Sequence, residues 1–341
     1  SGAEGTEKMA GQRAFITGSA GFIGYHLAER LLSDGWQVLG LDAMSDYYEV
    51  SLKEKRHAML GAHPGFRAVI GRVEDPGLVR GLMEEFRPDA VIHLAAQAGV
   101  RYSIDAPRSY VEANLIGTFE VLEAARAVPP AHLLLASTSS AYGANTRMPY
   151  AETDRADHQM SFYAATKKAT ESMAHSYAHL YGLPTTMFRF FTVYGPWGRP
   201  DMAYYSFTRR IVRGEPIEVY GEGRMARDFT YIDDIVDGVL GVLAGLEVVR
   251  TIRDMGVTPR RPIVVVNWTN EEGARFAPAM LASGVFAGIH TEDYANSRVD
   301  AAGKRFGDEL DRIGWRGDEP VGGRPIHAMF EYHIEQGPIL E

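Results

Sequence analysis

Short apolar runs alternate along this chain with longer segments whose apolar positions recur every three or four residues. Arg13–Thr17, Val38–Leu41, Phe66–Ile70, Ala90–Leu94, His132–Ala136 and Thr185–Phe190 have the length and composition of buried strands. Between them lie helical patterns: one carrying Ile23, Leu27, Leu31 and Leu32 on a single face, then Pro76–Phe86, Arg108–Ala127 and Ser161–Tyr181. Such alternation predicts βα units, and hence an α/β fold with a doubly wound parallel sheet covered by helices on both faces. A further helix is predicted over Tyr231–Ile252, with Ile232, Ile235, Val236, Val239, Leu243, Leu246 and Val249 on its apolar face. Internal repeats and low-complexity tracts are absent from the sequence.

Composition narrows the chemistry. The chain has no cysteine, which excludes disulfides, thiolate metal sites and a cysteine nucleophile and fits a reducing compartment such as the cytoplasm. A net charge of −9 argues against general nucleic-acid binding. No apolar run has the length of a membrane span. Ser1–Lys8 is small and polar and reads as tag-like residues ahead of a start at Met9.

Gly18, Gly21 and Gly24 follow the first strand and open the first helix. A turn there needs residues without Cβ, so that a pyrophosphate approaches backbone N–H groups and the helix packs on the strand. Asp42 ends the second strand 24 residues after Gly18, where a carboxylate holds adenosine ribose hydroxyls and repels a 2′-phosphate. NAD is the expected cofactor. Further on, Tyr163 and Lys167 stand four apart in a helical pattern and project from one face. The expectation is that the ammonium favours the phenolate and brings the tyrosine toward the working range of a general base. Ser137-Thr138-Ser139-Ser140 follows the strand His132–Ala136, at the strand end where open α/β sheets place ligands.

These pieces resemble the extended short-chain dehydrogenase/reductases, of the UDP-glucuronate 4-epimerase type, from about residue 9 to 240. The matching stretches are DAMSDYYEVSLKEK from Asp42, HLAAQAGVRYS from His93, YAATKK from Tyr163, RFFTVYGPWGRPDMA from Arg189 and RDFTYIDD from Arg227. The resemblance implies C4 epimerisation of a UDP-sugar, UDP-glucuronate and UDP-galacturonate being the expected pair, through a 4-keto intermediate. It implies that Thr138 hydrogen-bonds the sugar 4-hydroxyl, Tyr163 removes its proton, and Lys167 supports the phenolate and the nicotinamide ribose. Dehydratase relatives carry an acid pair where this chain has Ser139 and Ser140, so elimination of water is disfavoured. Ser139, Ser140 and Thr192 are candidates to receive a C6 carboxylate, and Arg199 and Arg227 to meet the substrate's charged groups. Asn114 resembles the helix asparagine that positions the active site. Arg72 departs from the pattern, standing where relatives have an aspartate near the adenine. By analogy a homodimer is the expected assembly.

After about Gly238 the likeness changes. Residues 241–341, read as a smaller C-terminal α/β segment, resemble a fragment of the zinc-dependent N-carbamoyl-amino-acid and allantoate amidohydrolases. The signatures are GVLAGLEVVRTIR from Gly241, VVNWTNEEGARFAPAMLASGV from Val265, FGDEL from Phe306 and HIEQGP from His333. That resemblance makes Glu271 a general base and Asp237, Glu272 and His333 metal positions. The family's upstream His-x-Asp ligands are missing here, so a working zinc site is not expected. The chain reads as a chimera joined near Asp237-Gly238. Zinc-dependent ureide hydrolysis and an inactive NAD-binding hybrid remain the open alternatives, as does one divergent epimerase whose tail echoes a hydrolase.

Overall fold

The computed structural model describes residues 11–146, 150, 154–217, 229–240, 243, 275–278, 280–300, 302–313, 316–317 and 321–322. Six parallel strands form the main sheet: β1 (Arg13–Thr17), β2 (Gln37–Asp42), β3 (Phe66–Ile70), β4 (Ala90–His93), β5 (His132–Ala136) and β6 (Thr185–Phe188). Their order is β3-β2-β1-β4-β5-β6, the doubly wound arrangement in which the direction of strand addition reverses between β1 and β4. Thr17 pairs in register with Leu41 and with His93, so the strands' carboxyl ends form one edge. Phe15, Leu39, Leu41, Val91, Leu133 and Leu135 pack in the core beneath that edge.

The connecting helices are α1 (Phe22–Ser33), α2 (Val50–Gly61), α3 (Leu78–Phe86), the short α4 (Tyr102–Asp105) and α5 (Pro107–Tyr110), α6 (Gly117–Ala127) and α7 (Phe162–Tyr181). The first face differs by one position from the expected stripe: Phe22, Tyr25, Leu27, Ala28, Leu31 and Leu32 are buried, while Ile23 is half-buried. The helix expected over Arg108–Ala127 is interrupted by a π-helical turn, Val111–Ile116. That turn carries the buried Asn114 and leads into Gly117, where a Cβ would stand 2.6 Å from Val73. Helix α2 has no apolar periodicity to announce it, since two of its three buried residues are Lys53 and Arg56. Ser161 caps α7 by accepting from the Ala164 amide at 3.1 Å, and Gly182 ends it at φ +65°.

Beyond β6, β7 (Thr192–Tyr194) pairs in parallel with β8 (Phe229–Tyr231), with α8 (Ala203–Val212) between them. Tyr231 therefore closes a strand, and helix starts at residue 232 and runs through 240. Ile232, Ile235, Val236 and Val239 are buried along it, as is Leu243, whereas Leu246 and Val249 lie outside the described residues.

Two compact units are distinguished, residues 1–144 with 156–240, and 145–155 with 241–341. Among its described residues the second contains α9 (Leu281–Phe286), α10 (Glu292–Asn296) and α11 (Phe306–Ile313), packed through Phe276, Leu281, Ala295 and Phe306. Arg275 bridges Asp300 and Glu309 there. No helix among the described residues is long and apolar enough to cross a membrane.

Candidate active site

The glycine run folds tightly at the sheet's carboxyl edge. Gly18 has φ +77°, and a Cβ on it would lie 2.8 Å from the Ala95 amide nitrogen. A Cβ on Gly24 would lie 2.1 Å from the Gly18 carbonyl oxygen, and one on Gly21 2.9 Å from the same atom. All three positions thus exclude side chains and leave the start of α1 open to a diphosphate. Asp42 accepts the Ala20 amide on one carboxylate oxygen and the Met44 amide on the other, each at 2.9 Å. It therefore shapes the loop, and each oxygen keeps a further lone pair. The Ser19 hydroxyl is buried without a hydrogen-bond partner. These features fit a dinucleotide. Arg72, just past β3, is paired on the surface with Glu74.

Thr138, Tyr163 and Lys167 come together where β5 ends and α7 begins. Thr138 is extended and opens a 3-10 turn, Ser139–Tyr142, by accepting the Ser140 amide. Its hydroxyl stands near enough to the Tyr163 phenol to favour the phenolate. The Tyr163 ring packs edge-on against Tyr110 at 6.0 Å. Lys167 is buried, and its ammonium donates to the Ala136 carbonyl at 2.8 Å.

Burial pushes the Tyr163 phenol up, while the Thr138 hydroxyl and the charge of Arg199 pull it down. Burial also brings the Lys167 ammonium down to about 8. Lys167 donates to the strand-end carbonyl, and the charge of Arg199 is one of the influences that favour the phenolate. Helix spacing aligned the two side chains; burial decided what each one does.

On the substrate side, the Ser139 amide donates to the Phe190 carbonyl at 2.8 Å, which joins the Ser139–Ser140 turn to the chain entering β7 at Thr192. Arg199 is not an open cation: its Nε and Nη2 meet the two oxygens of Asp201 at 3.1 and 2.6 Å. Its field nevertheless reaches Tyr47, Tyr48, Lys53 and Tyr163. Arg227 lies outside the described residues.

Asn114 holds the site's frame together. Its side chain accepts from the Gln97 amide at 2.8 Å and donates to the Gln97 carbonyl and to Thr166 Oγ1, so it ties the loop after β4 to α7. His93 is buried between the Thr17 and Thr118 hydroxyls, and burial with the nearby Lys167 charge brings it down to about 3, so it stays neutral.

Sequence reasoning missed four charged groups. Glu171 stands four residues after Lys167 and is visible as a continuation of the same face. It accepts from Ser137, Lys168 and both Nε and Nη2 of Arg189. Arg189 also lies over the Tyr142 ring. Lys53 donates to the Ser45 carbonyl and hydroxyl, and Arg56 to Ala20 and Tyr48. No sequence signal marks these two, because a buried cation on a charged helix looks like a solvated one.

Of the metal positions carried over for the tail, Asp237 lies in the first unit, 3.7 Å from Arg30 of α1. Glu271, Glu272 and His333 lie outside the described residues. Among the described residues no group of three or more His, Asp or Glu is arranged to hold a metal.

Residues 14–255 match the family model described as the NAD dependent epimerase/dehydratase family, and residues 234–341 match that of peptidase family M20/M25/M40. The two matches overlap at 234–255, which includes the expected join at Asp237-Gly238. A Rhizobium meliloti (strain 1021) protein named "Probable UDP-glucuronate 4-epimerase" is 59% identical over 228 residues, 67% of either chain. An Arabidopsis thaliana UDP-glucuronate 4-epimerase is 50% identical, over 68% of this chain and 55% of that one. A Bacillus cereus UDP-glucuronic acid 4-epimerase, solved with UDP-glucuronic acid and NAD, superposes with a TM-score of 0.65 at 32% identity, over 68% of this chain and 73% of that one. The fold, the glycine loop and the matched span agree: the chain belongs to the NAD-dependent epimerase/dehydratase family.

Proposed function

We propose that the first unit interconverts UDP-glucuronate and UDP-galacturonate by inverting C4. The observation that carries this reading is the Thr138–Tyr163 pair at the sheet's carboxyl edge, next to a side-chain-free glycine loop and within the field of Arg199. Similarity to the Rhizobium, Arabidopsis and Bacillus proteins supports the sugar assignment.

Gly18, Gly21, Gly24 and Asp42 would hold the dinucleotide, and Lys167 its nicotinamide ribose. Bound NAD supplies the acceptor for the C4 hydride and its donor for the return. Thr138 orients the sugar 4-hydroxyl, and Tyr163 takes its proton as the C4–H bond breaks, leaving a 4-keto sugar. The sugar turns over, C4 regains hydrogen on its other face, and Tyr163 returns the proton to the oxygen, so no net oxidation occurs. Ser139, Ser140 and Thr192 would receive the C6 carboxylate, whose charge displaces Arg199 from Asp201 or joins their pair. The acid pair needed for dehydration is absent at Ser139 and Ser140.

A cytoplasmic homodimer goes with the same reading. Ile116, Phe119 and Phe162 are large exposed apolar residues near or on α6 and α7, suited to helix pairing between copies. For the tail, Asp237 engaged with Arg30 gives no support to zinc hydrolysis. Purified protein incubated with UDP-glucuronate and NAD should yield UDP-galacturonate on anion-exchange chromatography. Retained NAD binding with no UDP-galacturonate would overturn the assignment in favour of an inactive hybrid.

A further inference from the structure

Between β7 and α8 the chain makes a turn whose backbone is unusual. Gly195 has φ +149° and Trp197 has φ +57°, a left-handed conformation that bulky residues rarely hold unaided. The carbonyls of Pro196, Trp197 and Gly198 are received by side chains from the cofactor half of the fold. His26 of α1 donates Nε2–H to the Pro196 carbonyl at 2.9 Å. Arg56 of α2 donates Nη2–H to the Trp197 carbonyl and, at 3.5 Å, to that of Gly198. Its other arm, Nη1, donates to the Ala20 carbonyl inside the glycine loop at 3.0 Å and to Tyr48 at 2.9 Å.

Arg56 is fully buried, and the acceptors of these bonds are carbonyls and a phenol, none of them a carboxylate. Burying a guanidinium is costly unless its donors meet acceptors; here both Nη atoms do, while the buried Nε does not. The rigid fork spans the diphosphate-binding loop on one side and, on the other, the turn that immediately precedes Arg199. Whatever orders Ala20 therefore orders the backbone that aims Arg199.

We infer that Arg56 is a positioning residue that couples the glycine loop to the 195–198 turn, so that filling the loop with NAD presets Arg199 for an anionic sugar. His26 is the second strut of the same device. The inference rests on the proposed dinucleotide and uronate sites, but not on turnover. By linkage, NAD then raises affinity for UDP-glucuronate, and UDP-glucuronate raises affinity for NAD by the same factor.

The test uses the full chain as wild type, Arg56→Lys, Arg56→Gln and His26→Phe. His26→Phe keeps the ring contacts with Phe22 and Tyr25 and removes only the donor, so it covers the case in which Arg56→Gln fails to fold. Hydrogen exchange with and without NAD reads the turn directly. In wild type, NAD should slow exchange of amides at 195–201 as well as at 18–24. In Arg56→Gln and His26→Phe the slowing should persist at 18–24 and be lost or reduced at 195–201, with Arg56→Lys intermediate. Calorimetry should give a wild-type NAD–UDP-glucuronate coupling of about 5- to 150-fold, the usual range for linked sites, and a smaller one in the variants. Unchanged protection at 195–201 in His26→Phe and in the folded Arg56 variants overturns the coupling role. Protection transmitted normally in a wild type that produces no UDP-galacturonate overturns the proposed reaction and leaves the coupling role standing.

Discussion

Replacing Glu171 with Gln tests how the floor of the site is held. The carboxylate is 10% exposed and accepts from Arg189 at 2.8 Å through two nitrogens, from Ser137 at 2.6 Å and from Lys168 at 3.0 Å. Burial alone raises its proton affinity, but hydrogen bonds from Arg189, Ser137 and Lys168 outweigh it and bring the group from 4.5 down to about 2. Each tenfold change in proton affinity corresponds to about 1.4 kcal/mol, so the ionised carboxylate stabilises the fold by about 3 kcal/mol at neutral pH. Its folded value lies below its unfolded one. The contribution is therefore complete above about pH 5 and is lost as pH falls toward 2. Glu171→Gln keeps the shape, removes the charge and points an amide at a guanidinium. Urea unfolding should place the variant about 3 kcal/mol below wild type at pH 7, with the gap narrowing to roughly 1.4 kcal/mol at pH 3. A gap independent of pH, or one under about 1 kcal/mol at pH 7, would show that the network is a surface-like pair of little worth.

Three further outcomes follow from the site. Asp42→Ala removes ribose acceptors and also strands the Ala20 and Met44 amides, so calorimetry should show NAD binding weakened by roughly 1.5–3 kcal/mol; unchanged affinity would refute the ribose assignment. Tyr163→Phe should leave NAD affinity nearly intact and lower epimerisation by about 10²–10⁴-fold or more, and a variant with most of its turnover would remove Tyr163 from the chemistry. Because Lys167 sits at about 8, its ammonium is present below that pH and lost above it, so NAD affinity of the free protein should decline through pH 8; Lys167→Arg, always charged, should bind without that decline.

Much of this molecule is legible in one dimension. Strand positions are carried by short apolar runs: Arg13–Thr17 and His132–Ala136 coincide with β1 and β5, which are buried along most of their length and have little polar sequence to blur their ends, and Phe66–Ile70 coincides with β3 although that strand is a largely exposed edge. The glycine spacing is likewise local: three residues without Cβ around one turn, each excluded from carrying a side chain by backbone within the same loop or on the adjacent strand end. Tyr163 and Lys167 share a face because a helix turn is a fixed distance. What the tertiary structure decided is every property that depends on what lies opposite. The π turn at Val111–Ile116 exists where Asn114 reaches Gln97 and Thr166, partners 17 and 52 residues away. Lys167 meets the Ala136 carbonyl, and Arg199, from beyond β7, adds its charge to the surroundings of Tyr163. Helix α2 buries Lys53 and Arg56, which no apolar periodicity in its sequence marks. Periodicity registers which side of an element is apolar, since that follows from the chain's own repeat. It does not register where a charge is neutralised, because the acceptors come from segments that only folding brings within hydrogen-bonding distance.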